Sequence, residues 1–186
     1  MKKITIFGKG NMAKVIAQRF TSAGNTVSMF GSKDKVGSLG DIVVLAVPYG
    51  AVAQILEENK LALAGKILID ITNPVNFATG DDLVVPSNSS ASEVVAHILP
   101  KARVIKAFNT NFASSLTGTT PTSVLMASDD VEAKATFTSA LEGSGLVIID
   151  AGSLKRAREL EALGFLEITL AMREQIGWTG GFTLTK

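Results

Sequence analysis

Gly8, Gly10 and Ala13 stand in the stretch GKGNMA, where a short apolar segment passes at once into a helix-like pattern. The G-x-G-x-x-A spacing suits a pyrophosphate. The first glycine permits a tight turn, the second lets the backbone approach the phosphates, and the alanine keeps the helix close to the sheet. A helix N-terminus placed there offers free N–H groups and a partial positive charge. A plain strand–turn–helix that happens to use glycines is the alternative. The position of the turn, after an apolar strand and before a helix, favours the phosphate cradle. No G-K-[ST] follows at the spacing of a P-loop.

A dinucleotide cradle raises the question of which dinucleotide. NAD-binding chains carry Asp or Glu at the end of the second strand, where it binds the ribose hydroxyls. Here that place reads Gly31-Ser32-Lys33-Asp34, with Lys35 beside it. A hydroxyl and an ammonium do not repel a 2′-phosphate, so Ser32 and Lys33 favour NADP(H) over NAD(H). The competing reading makes Lys33 and Lys35 solvated loop charges. Carboxyl ends of parallel strands line the ligand crevice. Ala46, Val47 and Pro48 in AVPYG therefore border the cofactor, as do Thr72, Asn73 and Pro74 in DITNPVNF and Ala107 and Asn109 in KAFNT. Asn73 and Asn109 carry uncharged donor–acceptor groups suited to a carboxamide or a ring carbonyl, and asparagines after strands also cap turns.

No acid, base or nucleophile stands out, so no catalytic residue is assigned. His97, the sole histidine, falls in the last turn of a helix, where it complements the dipole. Asp81 and Asp82 read as a solvated turn, and Asp70 and Asp150 as turn or cap residues at strand ends. Cysteine is absent, which removes thiolate nucleophiles and thiolate metal sites, and no metal site is expected. Reduction of a carbonyl or imine generally needs a proton donor beside the hydride. Hydride exchange between two planar rings needs chiefly alignment. The residues fit the second chemistry better.

The elements that must hold these groups alternate. Strands are expected at Ile4–Phe7, Thr26–Phe30, Asp41–Val47, Lys66–Asp70, Arg103–Phe108, Ser123–Ser128 and Leu146–Asp150. Helices are expected from Asn11, from Tyr49, from the capping box Ser90-Ala91-Ser92-Glu93 and from the acidic pair Asp129-Asp130, with a last long one over about Leu154 to Ile176. The stretch 71–89 is too rich in Pro, Asn and Gly for regular structure, and a loop of that length is functional or poorly ordered. The pattern specifies an α/β fold: a Rossmann-type, doubly wound, mostly parallel sheet with a C-terminal helical extension. A single domain is expected over 1–186, with the core in 1–150 and the helix and tail in 151–186.

Bulk composition excludes other classes. Lys plus Arg number 18 against 17 Asp plus Glu, so no basic excess draws the chain to nucleic acid or a membrane surface. The opening MKKITIF is interrupted by Lys9 and Lys14 before a signal-peptide core can form, and the longest apolar run, IVVLAV, is too short to span a bilayer. A cytoplasmic protein is expected. Leu160, Leu163, Phe165, Leu166, Ile168 and Leu170 cover more than one face of the last helix. That predicts either a homodimer through this helix or its burial on its own sheet. Trp178 and Phe182 could wall a flat ring or pin the terminus.

Taken together, IFGKGNMA, GSKD, AVP, DITNP, KAFNT and LKRARELEAL resemble the NADP-dependent oxidoreductases that use the deazaflavin coenzyme F-420. That fold also forms the cytosolic domain of the STEAP metalloreductases. The resemblance implies that Lys9, Gly10, Asn11 and Met12 contact the pyrophosphate and that Ser32 and Lys33 hold the 2′-phosphate. It places Val47 and Pro48 beside the nicotinamide, with Asn73, Pro74, Ala107 and Asn109 lining the crevice. It implies a small-molecule hydride acceptor, flavin or deazaflavin. Flavin-mediated ferric or cupric reduction, or non-catalytic NADPH sensing, are the rival readings. Two departures stand out: the segment between the second and third strands is short, and Lys33 stands where an arginine is common.

Overall fold

The structure is a computed structural model that describes residues 1–118, 121–179, 181, 182 and 184. Seven strands form one sheet: β1 (Lys3–Phe7), β2 (Thr26–Phe30), β3 (Ile42–Leu45), β4 (Ile67–Asp70), β5 (Arg103–Ala107), β6 (Thr122–Ala127) and β7 (Leu146–Asp150). Their order is β2-β1-β3-β4-β5-β6-β7. All neighbours are parallel except β5 and β6, which run antiparallel through only two residue pairs, Lys106 with Ala127 and Ala107 with Met126. The helices are α1 (Asn11–Ser22), α2 (Val52–Leu63), α3 (Ala91–Ile98), α4 (Val131–Ala140) and α5 (Ala157–Met172). Single 3-10 turns, Tyr49–Ala51 and Leu154–Arg156, lead into α2 and α5.

The central strands are apolar on both faces because helices cover both, as parallel sheets require. Ile42 and Val44 point with Ile4, Ile6, Ile67 and Ile69 toward Ile16 and Phe20 of α1 and Phe137 of α4. Val43 and Leu45 point the other way, toward Leu56 of α2, Val95 of α3 and Ala157 of α5. Three aromatic rings tie the first layer: Phe137 meets Phe20 and Phe108 edge-on, with centroids 6.4 and 5.7 Å apart. Such pairs add roughly 0.5–1.5 kcal/mol beyond their buried area.

The Ser90 half of the capping box is formed, while the Glu93 carboxylate takes the Ser90 hydroxyl. Ser90 Oγ accepts the Glu93 N–H at 3.1 Å and donates to Glu93 Oε2 at 2.9 Å. The last helix is shorter than its apolar pattern, ending at Met172. The stretch 71–89 is folded back on itself: Val75 and Leu83 make a bridge, and Val84 N–H donates to Pro74 O at 2.7 Å. The expected dual layering is present, and the chain reverses its direction of sheet growth between β1 and β3. That reversal is where doubly wound sheets open a crevice.

Candidate functional site

The turn after β1 lies at this reversal. Gly8 has φ +122°, a conformation side chains rarely adopt, and its N–H donates to Phe30 O at 2.7 Å. A side chain there would run into the carbonyl of Ala46, so the ends of β2, β1 and β3 converge on one glycine. At Gly10 the opposite holds, since no atom lies within 4 Å of where a Cβ would stand. Gly10 is also the N-cap of α1, with no side-chain cap, so the first N–H groups of the helix face that open space. Ala13 is buried under the turn.

At the end of β2 the Asp34 carboxylate turns back toward the cradle. Its Oδ2 accepts the Gly31 N–H at 2.7 Å and pairs with Lys9 Nζ at 2.7 Å, both partners being well exposed. The Lys9 hydrogen bond, with help from Gly31, holds this carboxyl below its usual range. Ser32 and Lys33 are exposed at the tip of the same loop, while Val47 is half-buried and Pro48 exposed across from it. A cavity of about 150 Å³ lies between them, bordered by Gly8, Ser32, Asp34, Val47 and Ile55.

Beyond β3 the expected crevice residues divide. Asn73 and Asn109 are brought together, but each amide is engaged with the other residue. Asn73 Nδ2 donates to Asn109 O at 2.8 Å, and Asn109 Nδ2 donates to Asn73 Oδ1 at 2.9 Å and to Leu160 O at 2.8 Å. Gly164 of α5 packs against the pair, where a Cβ would stand 2.6 Å from Asn73 Oδ1. One acceptor, Asn109 Oδ1, is buried without a partner among the described residues. Both asparagines still border a cavity of about 190 Å³, together with Met12, Phe108, Phe112 and Trp178. Phe108 is fully buried with φ +63°, a costly conformation for an aromatic residue. Thr72, Pro74 and Ala107 lie buried behind this surface.

Directly under the crevice sits a network that motif reading missed. Lys106 is fully buried, and its Nζ lies 3.0 Å from Asp70 Oδ2, 2.7 Å from Glu161 Oε1 and 2.5 Å from Thr72 O. Asp70 also accepts from the Ser92 hydroxyl at 2.6 Å and from the Thr72 N–H and hydroxyl at 2.9 and 2.7 Å. Glu161 accepts the N–H groups of Ala91 and Ser92 at the start of α3. Burial works against ionising Asp70, yet Lys106 and these donors hold its carboxyl below the ordinary value. Glu161 is pushed up by burial, with Lys106 pulling the other way. The same two carboxylates, after burial itself, push the Tyr49 phenol up. The available signal was a lone charge inside an apolar strand, in VIKAF and again in ILID.

A family model described as NADP oxidoreductase, coenzyme F420-dependent, matches residues 27–74. The F420-dependent NADP reductase of Methanocaldococcus jannaschii is 30% identical over 148 residues, covering 76% of this chain and 66% of that one. The chain is a relative of the F420-dependent NADP reductases. It spans just under two thirds of that reductase's length. The metalloreductase STEAP3 of Rattus norvegicus is 28% identical over 184 residues, covering 87% of this chain and 36% of that one. A crystal structure from Arthrobacter sp. FB24, described as a candidate F420-dependent NADP reductase, superposes with a TM-score of 0.84 at 25% identity, over 100% of both chains.

This chain is a Rossmann-type fold with a C-terminal helix, and α5 carries a second buried acid. Glu167 is 1% exposed, and burial pushes its carboxyl up to about 7, offset in part by the Phe182 N–H. Its Oε1 has no partner among the described residues. Other candidates fall where expected. His97 is exposed on α3, Asp81 and Asp82 sit in an exposed turn, and Asp70 and Asp150 each accept a turn N–H, from Thr72 and Gly152. The ring of Trp178 packs on Phe112 at 5.2 Å and borders the crevice, while its carbonyl accepts from Ser114 Oγ at 2.8 Å. Among the described residues no acidic or histidine cluster could hold a metal ion, and no helix is long and apolar enough to cross a membrane.

Proposed function

We propose that this chain is an NADP(H)-binding oxidoreductase that passes hydride between NADPH and a flavin-like or deazaflavin acceptor. One observation carries the reading. The uncapped N-terminus of α1 opens at the sheet's reversal point, beside a β2 end that presents Ser32 and Lys33 and whose acid, Asp34, is tied up by Lys9 and the Gly31 N–H. The open space at Gly10 fits a pyrophosphate, which the N–H groups of Asn11, Met12 and Ala13 would hold with Lys9 alongside. Ser32 and Lys33 would take the 2′-phosphate, and Ala46, Val47 and Pro48 would border the nicotinamide. When bound, the cofactor supplies the hydride. The chain's own part is to align and to keep water out. The wall of half-buried Met12 and Phe112 and exposed Trp178 serves that end, and the Asn73–Asn109 pair fixes the crevice floor rather than gripping the ligand. The names of the relatives, F420-dependent NADP reductase among them, support both the cofactor and the acceptor class.

Titration with NADPH and NADH, then NADPH oxidation with deazaflavin, FMN, FAD and ferric chelates as acceptors, tests the reading. NADPH is expected to bind more tightly than NADH, and Lys33→Glu is expected to weaken NADPH about tenfold, a loss typical of one phosphate-contacting charge. Preference for NADH would sink it. The likeness to STEAP3 across 87% of the chain favours a second reading, flavin-mediated ferric or cupric reduction, which the chelate arm of the assay separates. Tight NADPH binding with no acceptor turning over would instead mark a sensor. A homodimer through α5 belongs to the same proposal. Leu166 and Met172 are 50% and 45% exposed on that helix, and sedimentation of Leu166→Asp against the parent chain tests it.

A further inference from the structure

A cavity of about 410 Å³ lies on the far side of Asn111 from the crevice, between the β5–β6 connection, α5 and the C-terminal tail. Its walls include Thr110, Asn111, Ser123, Glu167, Phe182 and Leu184. Two of its polar atoms are buried acceptors with no donor among the described residues, Glu167 Oε1 and Asn111 Oδ1. The Asn111 orientation is set by its other end, since Nδ2 donates to Ser123 O at 3.1 Å and so leaves the oxygen to the cavity. Two of the lining hydroxyls are directed elsewhere: Ser115 Oγ donates to Phe112 O at 2.8 Å and Thr122 Oγ1 to Ser115 O at 2.9 Å. No lysine, arginine or histidine, and no second titratable group, lines the cavity among the described residues.

We propose that this cavity binds a small organic ammonium compound, with the Glu167 carboxylate as counter-ion and Asn111 Oδ1 as second acceptor. Thr110, Ser123 and Thr179 add hydroxyls to the lining, but no cation among the described residues does, and an ammonium brings three donors and a charge together. A buried carboxyl without a cation stays neutral, because ionising it unpaired is costly. A cation reverses that balance, and the charge-assisted bond it makes is stronger than one to a neutral hydroxyl. Phe182 and Leu184 offer an apolar wall for the alkyl stem. The raised titration of Glu167 agrees with the geometry: the acid is held in reserve near neutral pH by burial alone. This site is separate from the dinucleotide cradle, and its proposal stands without the cofactor assignment.

Calorimetric titration of the full chain at pH 8 with n-butylammonium, n-butanol and butyrate tests the proposal. The amine is expected to bind saturably with one site, the alcohol at least about tenfold more weakly, and butyrate not at all. Carbon-13 labelling of glutamate should show the Glu167 titration falling toward the ordinary carboxylate range on saturation, a readout that needs no variant. Glu167→Gln should lose amine binding about tenfold or more while NADPH affinity is unchanged, and Asn111→Ala should weaken the amine without abolishing it. Absence of saturation by the amine overturns the proposal, as does equal binding of alcohol and amine, or amine binding indifferent to Glu167→Gln. NADPH titration in the same samples reports separately on the cradle.

Discussion

Glu161 and Glu167 lie six residues apart on α5, and both are 1% exposed. Their surroundings could hardly differ more. Glu161 faces the sheet, where Lys106 meets it at 2.7 Å and the start of α3 supplies two N–H groups. Glu167 faces the β5–β6 connection and, among the described residues, receives only an N–H from Phe182 in the tail. One acid is built into the frame that holds β4, β5, α3 and α5 together beneath the crevice. The other is kept buried with an oxygen to spare. A fold that satisfies one buried carboxylate so fully and leaves its neighbour short of donors separates structural burial from burial that leaves binding capacity.

The largest expected effect comes from breaking the satisfied half. Lys106→Met leaves Asp70 and Glu161 buried without their cation, at an expected cost of about 3–5 kcal/mol in urea unfolding. Adding Asp70→Asn should recover part of it, because the two sites share one network. A loss below about 1 kcal/mol would mean that the network is not the frame described here.

Glu167 should respond in the opposite sense. Unfolded, its carboxyl releases its proton near 4.5; folded, it holds it to about 7. Between those values the folded chain binds the extra proton, so the contribution of Glu167 to stability falls as pH rises through this window. Glu167→Gln removes that dependence. It should stabilise the chain at pH 8 by about 2–3 kcal/mol relative to the parent and change little at pH 4, as read by thermal unfolding at both pH values. A destabilised Glu167→Gln at pH 8 would show that the carboxylate is paired after all.

Between the two acids, Gly164→Ala should push α5 away from the asparagine pair. A Cβ there would stand 2.6 Å from Asn73 Oδ1 and 2.8 Å from Asn109 O, and over-packing of this kind costs about 1–3 kcal/mol. A melting temperature unchanged by the alanine would show that the helix has room to yield. The smallest effect is expected far from α5, at the exposed pair of Lys9 and Asp34. Asp34→Asn frees Lys9 and removes a negative charge beside Ser32 and Lys33, so NADPH should bind more tightly by less than about tenfold, measured by fluorescence titration.

The parts of this molecule legible in its sequence are those written in local patterns. The glycine turn, the capping box at Ser90 and the alternation of strand and helix each depend on neighbours within a few residues. The reversal of β6 left a weaker trace. The connection NTNFASSLTGTTPT carries no apolar helical period in its sequence, and a parallel strand needs a long crossover, so an antiparallel β6 was the economical outcome. The site was harder, because its groups meet across long separations. Asn73 and Asn109 find each other over 36 residues, and their mutual bonds differ from both the ligand grip and the turn caps that their types suggest. On α5 the usual sorting of apolar and charged residues is inverted: Leu166 is 50% exposed while Glu167 beside it is buried. Periodicity places the leucine inside and the glutamate outside, and tertiary packing overrides it.

The junction between β5 and β6 joins the sheet through two residue pairs, against five between β6 and β7. Arg19 of α1 spans it from the side, donating to the carbonyls of Leu116, Ser144 and Gly118 at 2.7, 2.6 and 2.6 Å. Mechanically this is a seam. Phe137 of α4, edge-on to Phe20 of α1 and to Phe108 after β5, crosses the same seam, as does Asn25 Nδ2, which donates to Ala140 O at 2.7 Å. The last two strands are therefore held to the first five more by side-chain packing and side-chain-to-backbone bonds than by the ladder.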